Sequence, residues 1–229
     1  MRTVCFVDGY NMYYGLLAGT KFKWLNLKSF LSDTLRTQDP GFQLAAVNYF
    51  TSGIMPHLAT RGIESKEAQD AYLKALASVD VNIILGRHRL EPSKAPVFID
   101  KKTPASRAHQ TDIWLLEEKE TDVNIAVGMY RLAAKQEKLP DEERIRQIVL
   151  VSADTDMTPA LKAIREDFPD MKIGVIFPHR HGIQRNPPGS LLNLCDWARR
   201  FISETELEKH QFPERVPTRK KPAIKPIYW

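Results

Sequence analysis

The chain lacks most of the features that assign a protein to a specialised class at sight. It has only two cysteines, Cys5 and Cys195, far apart in the sequence, and they make no metal-ligand pair. A domain of this length buries roughly 70% of the surface its unfolded chain exposes, so it needs no disulfide staples. Cys5 lies within an apolar stretch, where a buried free thiol is expected. No apolar run approaches the roughly 20 residues of a membrane span, and the Met1 end carries no secretory signal. The expectation is therefore a cytoplasmic protein with no membrane partner. Four familiar motifs are also missing: GxGxxG, GxxxxGK[ST], CxxC and GxSxG. There are no internal repeats and no low-complexity tract.

What is present fits one α/β domain followed by a tail. Thr3 to Asp8, Ile148 to Val151 and Lys172 to Phe177 are short apolar runs of the kind buried parallel strands show. Gln43 to Ser52 and Val79 to Leu85 are further strand candidates. Helical spacing begins at Asn11 to Leu17 and recurs over Leu27 to Leu35, Glu64 to Ala77, Asp122 to Ala134 and Met157 to Ile164. Alternating strands and helices predict a mostly parallel central sheet with helices on both faces. Between Arg87 and Gln110 the pattern weakens, and Pro92, Pro96 and Pro104 suggest a loop with a short hairpin, with Thr111 to Leu116 as another strand candidate. Residues 203–229 are charged and Pro-rich and read as an extended tail, with Ile227, Tyr228 and Trp229 available to lie across the domain.

The net charge is +5, with a pI near 9.1, which permits a polyanionic partner without requiring one. Basic residues cluster at Arg87, His88 and Arg89; at Lys101, Lys102, Arg107 and His109; at His179, Arg180, His181 and Arg185; and at Arg219 to Lys221. Each cluster is by default a solvated face, and several lining one groove would become phosphate contacts.

The acids are more informative. Asp8 closes the first strand, and Asp154 and Asp156 follow the strand ending at Val151. Ligands of open α/β sheets bind at the carboxyl ends of strands where strand order reverses, so separate strands deliver these carboxylates to one edge. Asp122 opens a helix that can reach the same edge. A carboxylate cluster is tolerable only with protons or a cation, and hard oxygen donors suit Mg²⁺ or Mn²⁺. Simpler readings stand beside this one: Asp8-Gly9 as a turn, and Asp122 and Asp156 as helix caps.

Three stretches resemble the signature blocks of the NYN domain family, a bacterial branch of which is of unknown function: Phe6 to Asn11 (FVDGYN), Glu118 to Ile125 (EKETDVNI) and Val151 to Pro159 (VSADTDMTP). The resemblance covers roughly residues 1–202 and leaves 203–229 outside. It implies a PIN-like Rossmannoid three-layer sandwich and a metal-dependent site. On it, Asp8, Asp122, Asp154 and Asp156 are the catalytic acids, and Asp8, Asp122 and Asp154 are the metal ligands. Asn11 and Ser152 support them. Ala153 stands where the family usually has Gly, and Glu120, at a position often Gly, would add a carboxylate to the site. The expected activity is hydrolysis of an RNA phosphodiester through a carboxylate-bound Mg²⁺ or Mn²⁺, with RNA as the partner and self-association into a homo-oligomer left open. Arg87, Arg89, His179 and Arg180 would contact substrate, and Tyr10, Tyr13, Tyr14 and Trp24 would either stack on bases or simply pack.

Two other activities are compatible with the resemblance. One branch similar to the family performs NADH-dependent monooxygenation of a pyridine ring, 6-hydroxy-3-succinoylpyridine, in nicotine degradation. The other alternative is a non-catalytic nucleic-acid or nucleotide-binding module.

Overall fold

The computed structural model describes residues 1–182 and 186–229, so Arg185 of the third basic cluster lies outside the described residues. Six parallel strands form the central sheet: β1 (Arg2–Asp8), β2 (Gln43–Thr51), β3 (Val81–Leu85), β6 (Gln147–Val151), β7 (Lys172–Ile176) and β8 (Trp197–Arg199). Their order is β3-β2-β1-β6-β7-β8. The chain thus builds outward from β1 in one direction and returns to build outward in the other. The order reverses between β1 and β6, which opens a crevice at their carboxyl ends.

Side chains alternate across the strands, as a strand's two-residue period demands. From β1, Cys5 and Val7 enter one core and Val4 and Phe6 the other. The first core is covered by α2 (Leu27–Gln38) and α3 (Ile63–Ser78), through residues such as Phe30, Leu31, Tyr72 and Leu76. The second is covered by α4 (Thr121–Gln136) and α5 (Thr158–Asp167), through Ile125, Met129, Leu161 and Ile164. The result is the expected three-layer Rossmannoid sandwich, with every sheet strand parallel. Cys5 is a fully buried free thiol, and burial pushes its pKa up.

Three segments depart from the sequence expectation. Asn11 to Leu17 is not one α-helix: the single turn α1 (Gly9–Met12) passes into a π-helical turn over Tyr13–Leu17. Between Arg87 and Lys119 the expected hairpin is present but longer than its pattern suggested, an antiparallel ribbon with β4 (Arg87–Pro96) paired along its length to β5 (Gln110–Lys119) in a sheet of its own and residues 97–109 as the connecting loop. Thr111 to Leu116 therefore belongs to this ribbon and not to the central sheet.

Residues 203–229 are not extended. After the one-turn helix α6 (Gly189–Leu192), α7 (Glu204–Lys209) opens with a capping box between Ser203 and Glu206, and β9 (Arg215–Val216) pairs with β10 (Ala223–Ile224). Leu207, Phe212, Val216 and Ala223 are buried in the first core. Trp229 packs against Trp24 and Tyr72, whereas Ile227 is fully exposed. Among the described residues no helix is long and apolar enough to cross a membrane.

Candidate active site

The crevice between β1 and β6 gathers its side chains by short-range rules. Asp8 is the last residue of β1 and the N-cap of α1, and its Oδ1 accepts a hydrogen bond from the Asn11 backbone N–H at 2.9 Å. Gly9 must follow: a Cβ there would stand 2.5 Å from the Phe50 carbonyl oxygen and 2.7 Å from the Tyr49 ring. Ser152, fully buried just beyond β6, donates its hydroxyl to Asp8 Oδ2 at 2.9 Å. The same Ser152 oxygen accepts from the Asp154 backbone N–H at 3.0 Å. Asn11 Oδ1 accepts from the Ala153 N–H at 3.1 Å, which ties α1 to the loop after β6. Asp154 caps the 3-10 turn Thr155–Met157 by accepting from the Asp156 N–H at 2.9 Å. Asp154, not Asp156, is therefore the capping residue.

Asp122 arrives from the other direction, in the first turn of α4. Its predicted role as a cap is not realised, because the N-cap position falls on Glu120 and no side chain caps the helix there. Asp8, Asp122 and Asp154 each present a carboxylate oxygen within 4.8 Å of the others. Asp156 is exposed and stands outside this trio, although its charge acts on Asp122.

The electrostatics follow from crowding. Burial raises the Asp8 pKa, opposed by hydrogen bonds from Asn11 and Ser152 and reinforced by Asp154 and Glu118. Asp122 is pushed up to about 6, first by desolvation and then by Asp8, Asp154, Glu118 and Asp156. Such a pocket favours a proton or a cation at the Asp122 position.

Glu118 is the carboxylate that sequence reasoning missed. It lies on β5, and its Oε1 accepts from the hydroxyls of Ser52 at 2.9 Å and Thr121 at 2.5 Å. Its acidic neighbour Glu120, expected to reach the site, instead pairs with Arg87 at 2.7 Å. Glu120 has φ +77°, a left-handed conformation that favours glycine and so accounts for a position where Gly is common in the resembling family. Alternation along β5 was the available signal, since Trp114, Leu116 and Glu118 share a face. Beside Glu118, the Tyr10 hydroxyl meets His88 Nε2 at 3.0 Å, and His88 Nδ1 meets the Gly53 carbonyl at 2.9 Å. Tyr10 stacks on the exposed Tyr14 with ring centroids 6.0 Å apart. The ribbon approaches closely here: a Cβ on Gly86 would lie 2.3 Å from Thr121 Oγ1 and 2.8 Å from the Lys119 carbonyl oxygen.

The residues expected to contact substrate are placed as follows. Arg87 pairs with Glu120, and Arg89 pairs with Glu91 at 2.5 Å, so neither guanidinium lines the carboxylates as a free cation. His179 is a buried ring stacked on Phe177 rather than an exposed contact, and Arg180 forms a backbone bridge with Ile202. Trp24 is a core residue packed among Tyr72, Phe212 and Trp229, with its indole N–H donated to the Pro213 carbonyl oxygen at 2.8 Å.

Comparison with known proteins separates fold from reaction. No family model matches the chain. A solved structure, a protein of unknown function from Vibrio parahaemolyticus, is similar in fold at a TM-score of 0.50, with 14% identity over 89% of this chain and 92% of that one. A curated protein of Pseudomonas putida (strain DSM 28022 / S16), 6-hydroxy-3-succinoylpyridine 3-monooxygenase HspA, is 32% identical over 247 residues, covering 100% of this chain and 75% of that protein. This relative is a monooxygenase by name, and the finding overturns the expected ribonuclease activity together with the hydrolase and RNA-binding roles built on it. By identity across its full length, the chain belongs to the family of 6-hydroxy-3-succinoylpyridine 3-monooxygenase.

Proposed function

We propose that this protein is a monooxygenase acting on a hydroxylated pyridine ring, with the crevice between β1 and β6 as its active site. The observation that carries the reading is the 32% identity to the Pseudomonas enzyme across all of this chain and 75% of that protein. Monooxygenation places one atom of dioxygen on the ring and reduces the other to water, with NADH as the proposed electron donor. In a 6-hydroxypyridine, C3 lies directly across the ring from C6. Loss of the proton from the hydroxyl, or from the ring N–H of its lactam form, pushes electron density onto C3, the position oxygenated by the relative. In that substrate C3 carries the succinoyl group, so the new C–O bond forms as the ring–acyl bond breaks, and with one NADH the acyl fragment takes up water and leaves as a carboxylic acid.

The residues suit that task. Asp8 is locked by Ser152 and Asn11 and serves as a fixed negative charge at the crevice floor. Asp122, reached by solvent and pushed up to about 6, can exchange a proton with the ring oxygen near neutral pH. Tyr10 and Tyr14 offer stacked faces to a planar ring beside this position. The three carboxylates are hard oxygen donors close enough to share one ion, and they fit Mg²⁺ or Mn²⁺. When bound there, such an ion would offset much of the charge of Asp8, Asp122 and Asp154 and favour loss of the proton from a ring hydroxyl beside it.

The test is turnover of 6-hydroxy-3-succinoylpyridine with NADH and isotopically labelled dioxygen, with and without added Mg²⁺, Mn²⁺ and flavin. The expected result is substrate-dependent NADH oxidation and one labelled oxygen in the ring product, reduced at least about 100-fold in Asp8→Asn. Absence of label under every condition, or undiminished turnover in Asp8→Asn, would refute the proposal.

A further inference from the structure

The contact between the ribbon and α1 has a direction. The Gly53 carbonyl can only accept, so His88 Nδ1 carries the proton in that 2.9 Å contact. In the neutral imidazole, Nε2 is then an acceptor, and the Tyr10 hydroxyl must donate to it across 3.0 Å. With its only proton committed to His88, the Tyr10 oxygen can offer a ligand nothing but lone pairs. Two contacts that sequence reasoning did not foresee thus turn a phenol, usually able to donate or accept, into an obligatory acceptor.

The location makes that polarity relevant. Tyr10 is two residues beyond Asp8 on α1. His88 faces Glu118 across the ribbon, and Glu118 binds the hydroxyl of Thr121, the residue before Asp122. The Tyr10 ring is half-buried with one face covered by the exposed Tyr14, so a planar ligand that reaches the Tyr10 oxygen does so edge-on, with its in-plane N–H directed at that oxygen. A hydroxypyridine in its lactam form carries a carbonyl oxygen and a ring N–H on adjacent atoms. Carboxylates, protonated or cation-bearing, suit the oxygen, and a lone pair suits the N–H.

We infer that Tyr10 is a specificity-determining residue that accepts a hydrogen bond from the ring N–H of a lactam-type heterocycle, and that His88, anchored on Gly53, is the positioning residue that sets this polarity. The inference rests on the hydroxypyridine reading of the site and goes beyond it by naming which tautomer is bound and which group reads it. Ring compounds lacking a donor at that nitrogen meet an unpaired oxygen lone pair and bind less well.

Equilibrium binding tests this without catalysis. The probes are 2-pyridone and N-methyl-2-pyridone, titrated calorimetrically in the presence of Mg²⁺ at about pH 8, above the ordinary imidazole range. The wild type should prefer 2-pyridone by roughly tenfold. Tyr10→Phe should lose that preference while binding N-methyl-2-pyridone as well as before. His88→Ala should lose most of it, and the double variant should be no worse than Tyr10→Phe, because the two residues act as one unit.

A preference that survives in Tyr10→Phe overturns the inference. So does an equal loss for both probes, which would mark the contact as a strap holding the ribbon, and so does failure of 2-pyridone to bind. The two proposals fail separately. Tyr10-dependent discrimination without oxygen incorporation would leave this inference standing and sink the monooxygenase. Oxygen incorporation by Tyr10→Phe with unchanged KM and kcat would do the reverse.

Discussion

Replacing Asp122 by asparagine keeps the shape of the side chain and removes one of the charges crowded at the crevice. In the folded protein this carboxyl is pushed up to about 6, from an ordinary value of 3.8, by desolvation and then by Asp8, Asp154, Glu118 and Asp156. Between those two values the folded chain holds a proton that the unfolded chain has released. Stability therefore falls as pH rises through that window, and above about 6 the full penalty is present. A difference of about two units corresponds to about 3 kcal/mol at 1.36 kcal/mol per unit. Asp122 is exposed to solvent, and screening reduces the expected gain to about 1 kcal/mol. For a chain of this size that is a Tm shift of about 2–4 °C. Metal-free Asp122→Asn should accordingly melt about 2–4 °C above the wild type at about pH 8 in chelator, with the advantage gone near pH 4. Added Mg²⁺ or Mn²⁺ should then stabilise the wild type more than the variant, because only the wild type keeps all three carboxylates. Thermal melts followed by circular dichroism at the two pH values decide the matter. If Asp122→Asn melts at or below wild type at the higher pH, or keeps the same advantage at the lower, the carboxylates do not repel one another as argued.

Two further outcomes follow from the contacts around this site and from the packing of the last segment. Ser152→Ala removes the donor to Asp8 Oδ2 and the acceptor for the Asp154 N–H, both in a buried setting, and should cost about 1–3 kcal/mol in urea unfolding. An unchanged midpoint would mean that Ser152 does not hold Asp8. Ending the chain after Ile202 removes Leu207, Phe212, Val216 and Ala223 from the first core and uncovers Trp24, so the shortened protein should lose its near-UV circular dichroism and cooperative melt. A cooperative transition at the full-length midpoint would show that this packing contributes little.

The strands of the central sheet were legible because burial on both faces writes a continuous apolar run, as in β1, β6 and β7. From those runs alone the carboxyl ends could be located, and with them the shared edge of Asp8, Ser152 and Asp154. β8 was not legible: it is three residues long, half-buried, and supported by pairing to β7 rather than by its own pattern. The last segment misled because its charges dominate the local composition, while the apolar residues that bury it are spread thinly and find their partners, such as Trp24, almost 190 residues away.

The ribbon misled for a different reason, and that error bears directly on function. Pro92 and Pro96 argue against a central strand, but they lie four residues apart on one strand of a two-stranded ribbon, so both fall in the same phase of the ladder. An antiparallel pair leaves alternate N–H groups of each strand facing solvent, and two prolines in one phase can occupy those places without breaking the pairing. Reading this stretch as a loop with only a short hairpin hid the pairing that sets His88 opposite Glu118. The strand ends determine where carboxylates gather, and such a gathering serves phosphodiester hydrolysis as readily as ring oxygenation. What distinguishes the two is the neighbouring group that meets the substrate. Here that neighbourhood includes a tyrosine hydrogen-bonded to a ribbon histidine. The ribbon and α1 bring a stacked tyrosine pair and the Tyr10–His88 contact beside these acids, and those are the features on which the proposed ring binding rests.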